Sequence, residues 1–150
     1  MRRCLLCVSL LWTVLTAFAQ QYVIPLDGRQ QFEVDIEARG AHITGICMVK
    51  TDAEGIRGAV VNEFGVHALD FMLTADRRQV RLQNVIHWMD RWYIRRIVRR
   101  DLSFLFGATQ ERLQKGRRLV TIESDGTVTM SNQRYGLTYR FKELKNEIRE

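Results

Sequence analysis

The chain has 150 residues, of which 46% are hydrophobic and 27% are charged, with a formal net charge of +6 at pH 7. This length is enough for one domain with a single core, and the sequence shows no repeat, low-complexity run or linker. The excess of basic side chains is too small to demand a polyanionic partner, although it permits attraction to anionic lipid head groups or acidic polymers.

The first nineteen residues have the three parts of a secretory signal peptide. Arg2 and Arg3 provide the positive start, residues 4–15 are almost entirely apolar, and Ala17-Phe18-Ala19 matches the small-x-small pattern of a cleavage site. The apolar run ends by Ala19, so it is shorter than the ~20 residues that span a bilayer comfortably. We therefore predict an exported, periplasmic protein that is cleaved after Ala19, which lowers the net charge to +4 and leaves 20–150 as a single domain.

The positions of the cysteines bear on lipid anchoring and on disulfides. An acylated cysteine must directly follow the apolar run, whereas Cys4 and Cys7 lie at its beginning. The next cysteine is Cys47, so we predict that the protein is not lipid-anchored. Because Cys47 is the one cysteine of the predicted mature domain, no intramolecular disulfide can form there.

Apolar and polar residues alternate with a period of two over most of the predicted mature chain, which is typical of half-buried strands. Short turns such as Asn62-Glu63-Phe64-Gly65 join successive strands, and Asp125-Gly126 has the pattern of a two-residue hairpin turn. These short connections predict an antiparallel sheet. The predicted strands cover 32–36, 43–49, 56–63, 66–73, 80–82, 117–124, 127–132 and 137–141.

The period becomes helical between Trp88 and Arg100. One stripe of this helix is apolar, and another carries arginines at i, i+4 spacing. The apolar stripe contains Tyr93, Ile94, Ile97 and Val98, and the basic face contains Arg91, Arg95 and Arg99 with Arg96 and Arg100 beside them.

Asp101 follows this helix at a position that would point onto the centre of the apolar stripe if the helix continued. An unpaired buried charge is costly, so we predict that Asp101 ends the helix. It would then cap a second short helix over 102–106, which Gly107 ends.

The order of predicted elements is roughly five strands, a helical insert and then two or three more strands. A long sheet with one apolar face needs a covering layer, and the amphipathic helix can supply it. We therefore predict an α+β fold, mainly antiparallel β, in which a curved sheet or half-barrel wraps on one amphipathic helix.

This order of elements resembles the bacterial outer-membrane lipoprotein carrier and acceptor family, the Lol proteins. The similarity covers most of 30–141, and the hairpin Gly55 to Leu73 with its turn at 62–65 is the most similar part. The resemblance implies an incomplete antiparallel barrel that is closed by helices over an apolar cavity. Two features differ: the acceptor is a lipoprotein whereas this chain lacks an anchoring cysteine, and the carrier is longer.

The histidines do not indicate a catalytic or metal site. Alternation places His67 on the same strand face as Leu69, and it places Asp70 on the opposite face. Asp70 therefore cannot orient His67 as a catalytic base along that strand. His42 and His87 lie at no metal-type spacing from each other or from His67. We predict no catalytic residues, no metal and no cofactor.

Other candidate groups have equally simple interpretations. Cys47 alternates with Ile43 and Val49, which predicts an inward-pointing, inert thiol. The acidic row Glu33, Asp35 and Glu37 permits a calcium ion if other oxygen ligands converge, but such rows more often form a solvated face that cross-strand lysine or arginine neutralises. No phosphate loop or nucleophile elbow is present.

The arginine-rich helix is the most distinctive feature of the sequence. In an exported protein, nucleic acid is not the expected partner, and anionic lipid head groups fit better, with Trp92 at the interface. Arg91, Trp92, Arg95 and Arg99 are therefore predicted to contact a membrane or an acidic partner. The alternative is a solvated outer face that pairs with the acidic strand row.

The apolar residues suggest a ligand of a different kind. They exceed what a thin sandwich of one sheet and one helix obviously needs, so they either line a cavity for an acyl chain or form an ordinary core. We predict a non-enzymatic cell-envelope protein that binds a lipid or a lipoprotein acyl chain, or alternatively a structural or protein-interaction module without a ligand. The residues predicted to line the cavity are His67, Leu69, Phe71, Ile94, Ile97 and Val98.

Overall fold

The computed structural model describes residues 21–145 of the chain. Nine strands, one α-helix and a short 3-10 helix make up this part. The strands are β1 (Arg29–Ala38), β2 (Ala41–Asp52), β3 (Gly55–Asn62), β4 (His67–Leu73), β5 (Val80–Val85), β6 (Gln114–Lys115), β7 (Arg118–Ile122), β8 (Val128–Asn132) and β9 (Leu137–Glu143); the 3-10 helix is His87–Met89 and helix α1 is Trp92–Gly107.

The nine strands form one antiparallel sheet in the order β5-β4-β3-β2-β1-β9-β8-β7-β6. Neighbours along the chain pair with each other in both halves, and β1 joins the halves by pairing with β9. The sheet is curved and open, with β5 and β6 as its two edges. The predicted α+β fold, a curved antiparallel sheet with one helix, is confirmed.

Alternation along β1 shows how the sequence sets the two faces of the sheet. Phe32, Val34 and Ile36 are buried on the concave face, whereas the acidic residues between them face outwards. Outward-facing cations lie opposite them on β9, where Asp35 pairs in register with Arg140. Their charged groups lie 4.0 Å apart, so the acidic row is a face with cross-strand neutralisation.

Helix α1 lies across the concave face and contacts strands from both halves of the sheet. The ring of Phe106 stacks on Phe71 of β4 with 5.3 Å between centroids, and it meets Phe141 of β9 edge-on at 5.6 Å. Fully burying one such side chain contributes roughly 1.5–3 kcal/mol. The aromatic contacts therefore tie the two halves of the sheet to one helix.

The helix continues through Asp101, so the predicted stop at this residue and the predicted second helix are wrong. Asp101 is fully buried, but three strands supply hydrogen-bond donors to its carboxylate. Arg118 Nε donates at 2.6 Å, Asn132 Nδ2 at 2.8 Å and the Tyr139 hydroxyl at 3.0 Å. The rule that buried charge is costly holds for an unpaired carboxylate, and this one is paired.

The turn at Asp125-Gly126 is also longer than predicted. The Glu123 amide donates to the Thr127 carbonyl at 2.8 Å, which leaves three residues between this pair instead of two. Gly126 adopts a φ of +85°, and the Asp125 carboxylate accepts a hydrogen bond from the Thr127 amide. A three-residue loop that ends in a left-handed glycine is a common alternative for a tight hairpin.

The predicted signal peptide and its cleavage site lie outside the described residues. Within 21–145, no helix has both the length and the apolar character needed to cross a bilayer. At the other end, β9 runs to Glu143, so Lys142 and Glu143, the first residues of the charged segment 142–150, belong to a strand.

Candidate functional site

The residues predicted to line an acyl-chain cavity fall into two groups. Leu69, Phe71 and Val98 are almost fully buried in the core, at 1–2% exposure. Ile94 and Ile97 are half-buried, and Ile94 packs against the core. The space between sheet and helix at Phe71 is occupied by the ring of Phe106.

Three grooves of the described surface lie beside α1 or at the β1–β2 turn, and none of the six predicted lining residues borders these three. The side chains of α1 that face the sheet are buried to the end of the helix. The helix and sheet therefore meet through packed side chains at these positions. These inward-facing residues are Val98, Asp101, Leu102, Phe104, Leu105 and Phe106.

His67 does not point into the core, so its predicted orientation is wrong. A β-bulge at Ala68 pairs Val60 with Leu69 but Val61 with His67, which shifts the alternation by one residue. Ala68 and Leu69 are consequently both buried, while His67 is exposed on the same face as Asp70.

The bulge brings together the pair that alternation had separated. His67 Nδ1 and Asp70 Oδ1 lie 3.1 Å apart, and Asn84 Nδ2 donates to the other oxygen of Asp70 at 2.7 Å. A histidine that a carboxylate holds in this way has the arrangement of a general base with its orienting group. A nucleophilic thiol does not accompany it, because Cys47 is completely buried and burial raises the pKa of its thiol to about 12.

A second histidine joins the acidic row of β1. His42 Nε2 lies 2.7 Å from Asp35 Oδ1, and ligand atoms of Asp35, Glu37 and His42 lie within 4.8 Å of one another. Asp35 also faces Arg140, whose positive charge competes with a cation for the same carboxylate. The cluster is on the surface, and its hydrogen bonds account for its geometry.

The basic face of α1 is positioned by the first two turns of the helix. Arg91 immediately precedes the helix, and Trp92, its first residue, is 75% exposed. Tyr93, which the apolar stripe had placed inwards, is 49% exposed and meets Trp92 edge-on with 5.9 Å between ring centroids. The buried stripe instead begins at Val98 and continues beyond Asp101, because the helix does not end there.

One arginine of this face is fixed by neighbouring groups. Arg95 donates to Asp90 at 2.7 Å and to the carbonyl of Leu82 at 3.0 Å, which ties the helix to β5. The alternative prediction, a solvated helix face that pairs with the acidic strand row, is wrong in its pairing, because Asp35 of the acidic row pairs with His42 and with Arg140 of β9, whereas no helix arginine of the described chain pairs with that row. Its solvated outer face agrees with the exposure of Arg91, Arg96 and Arg99.

An apolar patch beside this face was missed by the sequence analysis. Phe64, at the tip of the β3–β4 turn, is 81% exposed, and Val66 and Trp88 are about half exposed. Hairpin connections alternate between the two ends of an antiparallel sheet, so the β3–β4 turn lies at the same end as the connection from β5 to α1. A large apolar residue inside a polar turn, as in Asn62-Glu63-Phe64-Gly65, was the signal in the sequence.

A shallow groove of about 540 Å³ continues from this end along the outer side of α1. It is lined by four arginines together with Leu82 and Trp92. The arginines are Arg81, Arg95, Arg96 and Arg99. Aliphatic and aromatic surface at the base of an arginine-rich groove suits a ligand with an anionic head and an apolar body.

Comparison with known proteins assigns no family to the chain. No model of a known protein family matches the chain, and no curated protein is similar to it. The likeness to the Lol proteins accordingly remains a prediction from the order of elements. The structure places exposed tryptophan and tyrosine side chains among arginines at the start of α1.

Proposed function

We propose that this protein is a non-enzymatic, exported cell-envelope protein that binds an anionic membrane surface through the start of helix α1. The observation that carries the proposal is the exposure of Trp92 and Tyr93 between Arg91 and Arg96. Amphipathic aromatic rings favour the level of the lipid head groups, and arginines pair there with phosphates. We call this group of residues, together with Arg95 and Arg99, the interfacial face.

The apolar patch at the same end strengthens the proposal. Phe64 projects from a turn in which Asn62 makes four hydrogen bonds, two to its side-chain oxygen, one to its carbonyl and one from its amide, so the exposed ring belongs to an ordered turn. Transfer of an exposed Phe ring from water into an apolar layer is favourable. A membrane would receive Phe64 and Trp88 while its phosphates meet the arginines.

The packed interior bears on how a lipid would bind. An acyl chain beneath α1 would have to displace Phe106 from Phe71 and Phe141, and it would break the hydrogen bonds to Asp101. Contact at the surface requires no such rearrangement. We therefore propose that the lipid binds outside the half-barrel. The alternative is an acyl chain inside it, which native mass spectrometry of the purified protein would detect as bound lipid.

Vesicle sedimentation tests the proposal. The purified protein should sediment with vesicles of phosphatidylcholine and phosphatidylglycerol, and much less with phosphatidylcholine alone. Each basic residue near an anionic surface is worth about 1 kcal/mol, so Arg91→Gln with Arg96→Gln should weaken binding roughly 30-fold. Trp92→Ala should weaken it further, because the aromatic anchor is lost.

The matched control is Arg29→Gln with Arg134→Gln, which removes the same charge from exposed positions outside the three grooves. It should leave vesicle binding almost unchanged. Equal losses in both double variants would reduce the effect to net charge and reject the interfacial face. Failure to bind either vesicle, combined with capture of a protein partner by the same arginines, would support the interaction-module alternative.

A further inference from the structure

A second basic site shares Arg99 with the interfacial face but otherwise consists of other residues, and it lies at the opening between the two edges of the sheet. The curved sheet is open between β5 and β6, and a groove of about 920 Å³ occupies this opening above the second half of α1. We call it the seam groove. Val80 and Arg81 of β5 border one side, Lys115 of β6 borders the other, and Ser103 and Phe104 of α1 lie between them.

The walls of the seam groove carry cations from five separate segments of the chain. Within the described part of the chain, the side chains of six of these cations form no hydrogen bond. Five of the six also form no ion pair with an acidic group, and the sixth, Arg78, has one weak contact with Asp76. Their mutual repulsion is therefore largely uncompensated within the described structure. They are Arg78, Arg81, Arg99, Arg100, Arg112 and Lys115.

Acidic side chains do little to neutralise this groove. Asp76 is the one carboxylate among its described lining residues, and it already accepts hydrogen bonds from the Thr74 hydroxyl and the Arg78 amide. Its distance of 3.9 Å to Arg78 Nε allows at most a weak ion pair. A concave surface that holds this many cations concentrates the positive potential at its centre.

The groove is also held in shape by buried bonds. Arg118 is fixed to Asp101 at 2.6 Å, and Arg77 donates to the carbonyls of Ile24 and Phe106 at 2.7 and 3.2 Å. The Ser103 hydroxyl donates to the carbonyl of Arg78 at 2.9 Å, which links α1 to the β4–β5 turn. The walls are therefore preorganised, which lowers the entropic cost of binding a ligand.

From this geometry we infer that the seam groove binds a ligand that carries several phosphate groups. The planar donors of arginine match phosphate oxygens in pairs, and a cluster of phosphates supplies the charge density that so many uncompensated cations require. The inference goes beyond the interfacial face, since five of the six cations lie outside that face, with Arg99 shared, and since it does not require a membrane. The phosphates can belong to one soluble polyphosphate or to several phosphomonoester head groups that a lipid surface presents together.

Isothermal titration at low salt tests the inference with inorganic tripolyphosphate, inorganic phosphate and citrate. Tripolyphosphate should bind at least tenfold more tightly than either of the others. The variant Arg100→Gln with Arg112→Gln should weaken this binding at least tenfold. The control Arg29→Gln with Arg134→Gln should change it less than twofold, and both variants should melt at the temperature of the unaltered protein, because all four side chains are exposed.

Vesicles that contain phosphatidic acid distinguish the two sources of phosphate. If the unaltered protein binds these vesicles but not tripolyphosphate, and Arg100→Gln with Arg112→Gln abolishes vesicle binding, the phosphates belong to a lipid. If the unaltered protein binds tripolyphosphate and the same variant loses that binding, the phosphates belong to a soluble ligand. Citrate binding as tight as tripolyphosphate, or equal losses in the control variant, would overturn the inference. Because Arg91 and Trp92 do not line this groove, failure here leaves the interfacial face untouched, and the reverse also holds.

Discussion

Asp101 lies buried within helix α1, at the position where the sequence pattern predicts that the helix ends. Burial raises the pKa of its carboxyl above the usual value, although Arg118, Tyr139 and Asn132 act in the opposite direction. Burial, followed by the nearby charge of Asp101, raises the pKa of the Tyr139 phenol well above its ordinary value. The tyrosine therefore stays a hydrogen-bond donor, and the buried carboxylate keeps its partners.

We predict that Asp101→Ala destabilises the protein by about 3–5 kcal/mol, because it leaves the Arg118 charge and the polar groups of Asn132 and Tyr139 without their partner. Urea unfolding followed by circular dichroism measures this cost. Asp27→Ala is the control: Asp27 is exposed, and the change should cost less than about 0.5 kcal/mol. Similar midpoints for the two variants would show that the Asp101 network contributes little.

The Cys47 thiol predicts a specific dependence of stability on pH. Burial raises its pKa from the ordinary value of 9.0 to about 12, so above pH 9 the unfolded chain loses this proton while the folded chain keeps it. Stability is therefore lost as pH rises, and this one group removes about 1.4 kcal/mol between neutral pH and pH 10.

Cys47→Ala isolates that contribution. The difference in unfolding free energy between the unaltered protein and Cys47→Ala should shrink by about that 1.4 kcal/mol between pH 7 and pH 10. Other groups, including Tyr139, titrate in both proteins and cancel in the difference. A difference that stays constant with pH would mean that the thiol is not protected by burial.

Among the elements, β2 and β3 approach each other so closely at Gly45 that a side chain has no room. A Cβ atom added to Gly45 would overlap the carbonyl oxygen of Val61, which is backbone and cannot rotate away. By contrast, Gly65 in the β3–β4 turn has a φ of +76° and open space around it. One glycine is required by packing and the other by backbone conformation.

We predict that Gly45→Ala costs about 2–3 kcal/mol, because the strands must separate, whereas Gly65→Ala costs about 1 kcal/mol of left-handed strain. Gly65→Asn should recover part of that strain, since asparagine tolerates this conformation. Thermal unfolding compares the three variants. Equal costs at positions 45 and 65 would contradict the close approach of β2 and β3.

At the scale of the whole molecule, Phe106 connects two distant strands of the open sheet. It contacts Phe71 near one edge and Phe141 near the middle, and it is completely buried. An open sheet gains no closure from hydrogen bonds between its edges, so a central helix must hold the curvature through side chains.

We predict that Phe106→Ala costs about 3–5 kcal/mol, because it removes a fully buried ring and leaves a cavity between helix and sheet. Phe64→Ala removes the same ring from a site that is 81% exposed, so it should cost less than about 0.5 kcal/mol. Urea unfolding measures both. A small cost at Phe106 would imply that α1 is loosely packed, which would revive the idea of an acyl chain beneath it.

The two proposed binding surfaces lie along the same helix. The interfacial face lies at the end of the sheet where α1 begins, and the seam groove lies over its second half. Arg81 and Arg99 border both the seam groove and the shallow groove beside the interfacial face, so the positive potential is continuous along the helix. A membrane-bound protein would thus present the seam groove close to the lipid head groups.

The amino-acid sequence by itself determined the elements that rest on local periodicity. Period-two alternation located every strand of the described chain except β6 (Gln114–Lys115), helical spacing located the insert, and the buried position of Cys47 followed from its neighbours in β2. These predictions hold because burial on one face imposes its period on the chain, whichever strands are neighbours. The arginines of the interfacial face were found in the same way.

Only the tertiary structure decided what depends on partners distant in the chain. Asp101 stays in the helix because Arg118, Asn132 and Tyr139 reach it from 17, 31 and 38 residues away. His67 faces Asp70 because a bulge breaks the alternation that local pattern assumes. The seam groove likewise exists only because the sheet curves until β5 and β6 approach one helix, and periodicity carries no information about curvature or about which charges it brings together.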